Sequence, residues 1–438
     1  MKQQNVSRRA MLKGGGAALA GLTVAQVTGP AEAFPGQTSQ DEPIAWEDEA
    51  DSSQALRHSS GQVIPWLDQP PPSPIPDIVG NILKWEDLNS FRTPSDNFFF
   101  VAHYGVPAGL NETAWRVGVD GLVRRPQSLT IADIKSRRHH EVDFTLECSG
   151  NNGDILPFFI GGIGNARWCG ARLAPLLRES GLLHDASEVI FWGVDRATVT
   201  IRDNSGIVSG GATGTTTPDG EDGLDLTITE QFARSMSLQD ALDRDNLLCY
   251  EMNGDPLPPE HGFPLRLIAP GWYGVANVKW LTRIEVTDHR FAGKFMARDY
   301  VSIREEQRAG QTVWTFATVS RDRLKSAPAK VTRRGTHYKI MGAAWGAPIA
   351  AVQVRIDDAP WQGARLFHRP RRGGKSSGFA WRFWTFEWGT PPSGEHRVTS
   401  RAFDTEGNLQ PAPRDPIVAT RRTYWENNGY VTRRVVIP

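Results

Sequence analysis

One cysteine of this chain occupies a position at which a thiol could do chemistry. Cys148 lies in "DFTLECSGNNGD", residues 143–154, where apolar and polar side chains alternate up to a glycine-rich polar turn. The alternation predicts a strand and the turn must leave the strand direction at once, so we expect the thiol at a strand end. A thiol placed there can be a metal ligand, a nucleophile or a buried small hydrophobe. For a single cysteine, burial is the commonest of the three.

A second group of polar residues lies in "YEMNGDPLPPEHGFPLRLIAPGWYGVANVKW", residues 250–280. Its prolines and glycines are too dense for regular structure, yet it holds His261, Arg266 and Lys279, a set of donors suited to an anion or a phosphate. Each also has a structural alternative, because an arginine on a strand is usually solvated and a lone histidine is usually a hydrogen-bonded loop residue. The sequence contains no CxxC pair and no HExxH, so zinc chemistry has no motif to support it.

The sequence pattern of residues 81–310 predicts a mixed α+β domain without a regular alternation of strands and helices. The elements of this domain must position Cys148 and the polar group of residues 250–280. Strands are predicted by the β-rich segments "WRVGVDGLV", "VDFTLEC", "EVIFWGVD", "LRLIAP" and "VKWLTRIEV". Helices are predicted by "LAPLLRESG" and "SLQDALDRD", and the second begins with the N-terminal capping pattern of Ser237 and Asp240. Residues 202–225 have no periodic apolar face, which predicts a long loop.

Residues 311–438 have a different pattern, of short strands separated by turns. In "AVQVRID" the apolar Val352, Val354 and Ile356 alternate with polar residues, the period of two of a half-buried strand. The segments "FAWRFWTFEW", "HRVTSRAFD" and "VTRRVVI" continue this pattern. We therefore expect an immunoglobulin-like antiparallel β-sandwich after the mixed domain.

The N-terminal residues predict export. Arg8 and Arg9 precede an apolar run over residues 17–27 and the small residues Ala31 and Ala33, so residues 1–33 are expected to be a cleaved signal. The paired arginines favour the twin-arginine route, which carries folded proteins and would place this one in the periplasm; an ordinary secretory signal is the alternative. Residues 34–80 are rich in acid and proline and are predicted to form an extended arm.

The composition excludes some classes of partner. Lys plus Arg and Asp plus Glu each number 49, so the charge balance favours neither a nucleic-acid partner nor a membrane surface, and no membrane span is predicted. The cysteines are Cys148, Cys169 and Cys249. An odd number means that at least one thiol is free, and whether Cys169 pairs with Cys249 stays open.

Two phrases of the sequence resemble a known enzyme family. "LLCYEMNGDPLPPEHGFPLRLIAPGWYGVANVKWLTRIEV" closely resembles a segment of the sulfite oxidase family of molybdopterin enzymes. "LECSGNN" resembles the segment that gives the molybdenum its thiolate in that family. The resemblance extends over about residues 80–435, because the C-terminal part is similar to the family's dimerisation domain.

The resemblance implies a molybdenum–molybdopterin cofactor and a set of site residues. Cys148 would be the metal ligand and, with Tyr300 of "ARDY", a catalytic residue. A thiolate suits this soft centre, and the cofactor itself performs the oxygen-atom transfer. The residues implied to contact the pterin or its phosphate are Phe99, Phe100, Val101, Ala102, His103, Asp195, His261, Arg266, Asn277, Val278 and Lys279.

The implied function is oxidation of sulfite or a related sulfur compound. The sequence has no CxxCH haem-attachment motif and no b-type haem segment, so no haem is expected and electrons would pass to a separate c-type cytochrome. The resemblance of the C-terminal part implies a homodimer.

Two positions depart from the family pattern. Sulfite oxidases have an arginine at the position of Val101 and another at that of Gly153. Losing two such cations would weaken the binding of a dianion by about 2 to 5 kcal/mol each, unless Arg167, Arg202 or the segments 202–225 and 368–378 supply other charge. One alternative is therefore the same cofactor with a less charged substrate that is not sulfite. Another is a cofactor-free binding or structural protein that retains the fold.

Overall fold

The computed structural model describes residues 55–56, 59–69, 75–152, 160–201, 226–367 and 378–438. The predicted signal, most of the predicted arm, Gly153, the loop 202–225 and residues 368–377 lie outside the described residues. Within the part of the chain that the structure describes, no helix is long and apolar enough to cross a membrane.

The fold is built mainly from strands. In chain order these are β1 Gln62–Ile64, β2 Val79–Gly80, β3 Phe100–Val101, β4 Arg116–Gly121, β5 Gln127–Thr130, β6 His139–Glu147, β7 Ile163–Arg172, β8 Glu188–Ile201, β9 Leu226–Ser237, β10 Leu247–Met252, β11 Asp255–Pro256, β12 Arg266–Ile268, β13 Leu281–Thr287, β14 Val301–Arg308, β15 Gln311–Thr318, β16 Lys325–Arg334, β17 His337–Trp345, β18 Ile349–Ile356, β19 Gln362–Gly363, β20 Arg365–Leu366, β21 Arg382–Gly389, β22 Gly394–Asp404 and β23 Val431–Ile437.

The helices are short. They are α1 Ile131–Lys135, α2 Leu173–Glu179, α3 Leu238–Ala241, α4 Lys294–Ala297 and α5 Pro416–Ala419, with single 3₁₀ turns at Trp85–Asp87, Ser95–Asn97, Pro259–His261 and Gly274–Ala276. The predicted cap of α3 is confirmed, because the hydroxyl of Ser237 accepts a hydrogen bond from the backbone N–H of Asp240.

Two five-stranded sheets contain most of the described strands that precede β14, while β2 and β3 pair only with each other. One has the order β11-β10-β7-β6, with β12 also paired to β10, and the other has the order β5-β4-β13-β8-β9. In the second sheet β4 and β13 are parallel, while its other pairs are antiparallel. Apolar residues of α1 and α2, such as Ile134 and Leu176, pack with this second sheet in one core. Strands therefore outweigh helices in a region for which a mixed α+β domain was predicted.

Strand β6 is more deeply buried than its alternating sequence predicts. Phe144 and Leu146 point into an apolar core, as expected for one face of a strand. Thr145 and Glu147, on the other face, are also buried. Thr145 is covered by the chain from Phe379 to Trp381, through a hydrogen bond from its N–H to the Phe379 carbonyl and one from the Trp381 N–H to its hydroxyl. The C-terminal part of the chain thus covers the second face.

The strands from β16 onwards form two antiparallel sheets, the first of which also contains β1. One has the order β1-β16-β17-β21-β20 and the other the order β19-β18-β22-β23. Val331 and Ile340 of the first sheet share a core with Val352, Val398 and Val435 of the second, so the sheets pack face to face. The immunoglobulin-like character of this arrangement stays a prediction.

A further apolar core joins residues from both parts of the chain. Trp85 stacks on Trp345 with ring centroids 5.8 Å apart, and Ile163 and Trp381 belong to the same cluster. The predicted domain boundary at residues 310 and 311 stays a prediction.

A largely buried histidine of β22 gives the fold a pH-dependent contribution. His396 Nδ1 lies 2.8 Å from Asp357 Oδ2 and its Nε2 lies 2.9 Å from the carbonyl of Pro392. Burial opposes the charged ring, but these hydrogen bonds raise the pKa of His396 above its ordinary value. A raised folded-state pKa stabilises the fold fully below the unfolded pKa of about 6.5, and the gain is lost as the pH rises through the folded value.

We therefore expect Asp357→Asn to lower the free energy of unfolding by up to about 1 kcal/mol near pH 5.5 and by less near pH 8.5. Denaturant unfolding at the two pH values measures this difference. The matched control is Asp358→Asn, because the exposed Asp358 carboxylate pairs with Arg397 instead of a histidine. Equal losses for Asp357→Asn at both pH values would contradict the expectation.

Candidate functional site

Cys148 follows directly after β6, as the sequence predicted. Its backbone N–H donates to the carbonyl of Gly162 over 2.9 Å, and its carbonyl accepts from the N–H of Asn151 at 2.9 Å, which forms the turn. The side chain of Asn151 fixes this turn further, by donating to Glu147 and accepting from the N–H of Gly162. The thiol is therefore held by a strand end and a hydrogen-bonded turn. Burial raises its pKa to about 12.

The thiol faces a cleft with an empty volume of about 600 Å³ that includes open solvent. The lining residues are Phe99, Phe100, Val101, His103, Leu146, Cys148, Asp195, Phe232, Glu260, His261, Arg266, Gly274, Val275, Asn277, Lys279, Trp280 and Tyr300.

Two buried cations lie in the wall of the cleft. Arg266, on β12, donates to the backbone carbonyls of His261 and Asn277, and its guanidinium lies 4.9 Å from the ring centroid of Trp168. Lys279 donates to the carbonyl of Glu260 at 2.7 Å. Burial, followed by the charge of Arg266, lowers the pKa of Lys279 to about 7. An anion between the two cations would stabilise the charged lysine.

His261 stands beside these cations as a neutral ring. Burial, then the charges of Arg266 and Lys279, lower its pKa to about 3. Its Nε2 lies 3.2 Å from the carbonyl of Ser95, so the ring donates there and is fixed in one orientation. His261 therefore supplies a positioned polar surface rather than a charge.

Unsatisfied polar atoms show that the cleft suits a polar ligand. Among the described residues, Asp195 Oδ1 and Arg266 Nε are buried without a hydrogen-bond partner. Burial raises the pKa of Asp195 to about 6, so a donor from a ligand would relieve this carboxyl. A pterin offers ring N–H donors and a phosphate, and Cys148 offers the soft sulfur that molybdenum accepts. The residues present therefore fit the cofactor that the resemblance implies.

A hydrogen-bonded pair lies at the end of the cleft near the thiol. His103 Nε2 is 2.6 Å from the hydroxyl of Tyr300, whose ring stacks on Trp425 with centroids 4.2 Å apart. Burial lowers the pKa of His103 to about 3, and the positive charges of Lys279 and Lys294 contribute to this shift. Burial, then Cys148, raise the pKa of Tyr300 well above its ordinary value. Both side chains are neutral at neutral pH, so neither contributes a charge to this wall of the cleft.

Most of the residues implied by the resemblance lie together in the cleft, while two do not line it. Ala102 and Val278 are buried in the apolar core beneath the wall. Asn277 lines the cleft, but its side-chain amide holds the surrounding loop by donating to two backbone carbonyls and accepting from the N–H of Ala269. The roles of all these residues toward a cofactor stay predictions.

The structure adds lining residues that sequence patterns did not indicate. Phe232 comes from β9 and lies far from the other lining residues along the chain, so no local pattern could have identified it. The others are Leu146, Glu260, Gly274, Val275 and Trp280, which are neighbours in sequence of predicted residues.

Three residues whose roles the sequence left open, Cys169, Cys249 and Arg167, are not among the lining residues of the cleft. Cys169 and Cys249 are free thiols in the structure. Arg167 was a candidate from the sequence to replace the missing arginines, but it is not among the lining residues of the cleft. Its guanidinium lies 3.5 Å from the carboxylate of Glu141. Arg202 lies outside the described residues. The described cations of the cleft wall are therefore Arg266 and Lys279.

We expect Lys279→Met to weaken the binding of an anionic pterin by about 2 kcal/mol or more, because it removes a desolvated cation from the cleft. Purified Lys279→Met protein should carry less pterin per chain than the parent, measured by fluorescence of the denatured protein. Lys294→Met is the control, because Lys294 pairs with Asp299 and does not line the cleft. Equal pterin content in parent and Lys279→Met protein would contradict the expectation.

Comparisons with known proteins identify the family. The model described as "Oxidoreductase molybdopterin binding domain" matches residues 103–209 and 215–295. Sulfite oxidase of Gallus gallus is 31% identical over 354 residues, which cover 75% of this chain and 70% of that protein. Sulfite oxidase of Arabidopsis thaliana is 28% identical, with 74% and 83% covered.

The lengths of the related proteins differ. The match to the mitochondrial sulfite oxidase of Drosophila melanogaster, at 29% identity, covers 73% of this chain but only 55% of that protein. The solved structure of the sulfane dehydrogenase SoxCD from Paracoccus pantotrophus has the same fold, with a TM-score of 0.65, 23% identity and coverage of 93% and 98%. The chain thus belongs to the sulfite oxidase family of molybdopterin-binding oxidoreductases.

Proposed function

We propose that the protein oxidises sulfite or a related sulfur compound by oxygen-atom transfer, with a molybdenum–molybdopterin cofactor. The observation that carries the proposal is the meeting of Cys148, Tyr300 and the cations Arg266 and Lys279 at one cleft. These residues come from separate segments of the chain. A thiol for a soft metal and cations for a phosphate are what such a cofactor requires.

The roles of the chain's own residues follow from their chemistry. When bound, the molybdenum–pterin group supplies two-electron oxygen-atom chemistry. Arg266 and Lys279 would hold its phosphate, and Asp195 would accept a hydrogen bond from a donor of the pterin. Cys148 would provide the sulfur ligand from its hydrogen-bonded turn. Tyr300, held by His103 and stacked on Trp425, orients the substrate and limits water near the thiol.

Metal and pterin analysis of the purified protein tests the proposal, together with sulfite-dependent reduction of ferricyanide or cytochrome c. The proposal expects about one molybdenum per chain and reduction that depends on both sulfite and Cys148. Absence of molybdenum and pterin from protein produced with cofactor synthesis intact would overturn it and would favour a cofactor-free binding role.

A less charged substrate is the second candidate, and the composition of the cleft favours it. Val101 lines the cleft where sulfite oxidases have an arginine, and Phe99, Phe100 and Phe232 give neighbouring apolar surface. His103 and Tyr300 add no charge. A dianion would therefore meet fewer cations close to the thiol than in the related sulfite oxidases.

Paired assays separate the two candidates. The molybdenum-loaded protein is offered sulfite and a panel of neutral organic sulfides, with ferricyanide as acceptor. A much higher kcat/KM for a neutral sulfide supports the second candidate. In that case Val101→Arg should raise the kcat/KM for sulfite by about tenfold, equal to about 1.4 kcal/mol, and should not raise it for the neutral compound. Rapid oxidation of sulfite by the parent would remove the second candidate.

We also propose that the protein is exported folded to the periplasm and passes electrons to a c-type cytochrome there. Support for export comes from Arg8, Arg9 and the apolar run that follows them. Replacing both arginines by lysine should leave the protein in the cytoplasm with its leader uncleaved, whereas an unchanged location would contradict the twin-arginine route. The proposed homodimer is tested by sedimentation of the purified protein.

A further inference from the structure

Four side chains with metal-ligand chemistry lie on one face of the sheet that carries Cys148, away from the cleft. His139 and Glu141 are two residues apart on β6 and so share a face. Cys169 on β7 stands directly opposite Glu141, and Glu251 on β10 stands directly opposite Cys169. Three adjacent antiparallel strands therefore bring an imidazole, a thiol and two carboxylates together.

A bulge in β10 gives Glu251 this orientation. The pairing of β10 with β7 shifts register between Cys249 and Glu251, so that Cys249 faces Gly170 and Glu251 faces Cys169. Without the extra residue, the strand's alternation would point Glu251 and Cys249 to the same face. Cys249 instead belongs to the apolar core, while Glu251 stands beside Cys169.

The distances suit a small cation. The ligand atoms of His139, Glu141 and Cys169 lie within 4.8 Å of one another, and His139 Nε2 lies 3.7 Å from Glu251 Oε2. In a tetrahedral zinc site with bonds of about 2.0 to 2.3 Å, the donors lie roughly 3.3 to 3.8 Å apart. Rotation of the exposed side chains can bring the ligand atoms to these shorter separations, because the side chains of His139 and Glu141 are 46% and 44% exposed. Cys169 is buried and fixed in the sheet.

We propose that His139, Glu141, Cys169 and Glu251 form a binding site for a divalent transition metal such as zinc. One sulfur, one nitrogen and two oxygens make a mixed donor set that such borderline ions accept, whereas magnesium and calcium prefer oxygen alone. The exposed histidine and carboxylates provide an entry path from solvent. The ion would tie β6, β7 and β10 together at the end of the sheet opposite Cys148, and its role is structural.

The simpler explanation is a row of cross-strand ion pairs. Arg167 lies 3.5 Å from Glu141, and the carboxylate of Glu251 is the ionic partner of His139. Such pairs account for the charged residues but give no role to the thiol between the carboxylates. The two explanations differ in an observable way, because only a metal site requires Cys169.

Cobalt is the probe for the test, since a thiolate bound to Co²⁺ absorbs in the near ultraviolet. The molybdenum-loaded protein is titrated with Co²⁺ and then with Zn²⁺ as a competitor. We expect a saturable sulfur-to-cobalt band that Zn²⁺ abolishes and that is lost in Cys169→Ala. His139→Ala and Glu141→Gln, both at the surface, should weaken cobalt binding more than about tenfold. Arg167→Ala should strengthen it or leave it unchanged.

Two matched controls distinguish the site from other ligands of the chain. His140→Ala removes the neighbouring histidine on the opposite face of β6, and Cys249→Ala removes the buried thiol of β10; both should keep the band. Retention in Cys148→Ser would show that the cobalt does not report on the cleft. A band that persists in Cys169→Ala, or that His140→Ala weakens as much as His139→Ala, would overturn the proposal. So would the absence of any band in the parent.

Discussion

Lys325→Met is expected to lower the free energy of unfolding by about 3 to 5 kcal/mol, because it leaves a carboxylate buried without its cation. Lys325 Nζ lies 2.6 Å from Glu147 Oε1, and the two side chains are 3% and 0% exposed. The carboxylate also accepts from the indole N–H of Trp345 and the amide of Asn151. Glu147 directly precedes Cys148, so the same ion pair fixes the turn that carries the thiol.

Denaturant unfolding of parent and variant measures this loss. Lys339→Met is the matched control, because Lys339 pairs with Glu387 at 2.6 Å but that glutamate is 74% exposed. The control should cost less than about 1 kcal/mol. The double variant Glu147→Gln/Lys325→Met should be more stable than Lys325→Met alone, since it removes the uncompensated charge. Equal losses for Lys325→Met and Lys339→Met would show that the buried pair contributes no more than a surface pair.

Cys148→Ser is expected to reduce turnover of the molybdenum-loaded protein by at least about a hundredfold, or about 2.7 kcal/mol of barrier. A hydroxyl is a harder donor than a thiolate and does not replace it at a soft metal centre. The exchange is nearly isosteric. Both hydrogen bonds that hold the turn at residue 148 come from its backbone, so the fold should be retained. Steady-state assays, with circular dichroism and metal analysis on the same preparations, measure the effect.

Cys249→Ser provides the control for this substitution. Its thiol is fully buried as well, and it donates to the carbonyl of Glu251 at 3.2 Å, a bond that a hydroxyl can also make. Because Cys249 does not line the cleft, the variant should keep its turnover. Full activity of Cys148→Ser with normal molybdenum content would contradict the ligand role of Cys148. Loss of activity in both variants would point to a general requirement for buried thiols.

The Glu147–Lys325 ion pair connects the strand that leads to Cys148 with the C-terminal part of the chain. Glu147 belongs to β6 and Lys325 to β16, so the cation that fixes the residue before Cys148 comes from the C-terminal part of the chain. The nearby Trp345 and Trp381 come from the same part. A substitution at the contact between these parts should therefore affect the cofactor site as well as stability.

Local patterns in the sequence determined a large part of the site. The alternation of Val142, Phe144 and Leu146 followed by a glycine-rich turn placed Cys148 at a strand end, because strand period and turn chemistry act over a few residues. The cap of α3 at Ser237 was predictable for the same reason. The similarity of the longer phrases to a family predicted that His261, Arg266 and Lys279 lie together in one site.

Only the tertiary structure decided which of these residues meet and what surrounds them. Phe232 reaches the cleft from a distant strand, whereas Ala102 and Val278 turn into the core although their sequence neighbours line the cleft. The pairing of Glu147 with Lys325 spans 178 residues. Local propensity carries no information about such contacts, because burial and charge compensation depend on how separate sheets pack. The sequence by itself therefore determined where the thiol stands in its strand, and the packing of the sheets determined its environment.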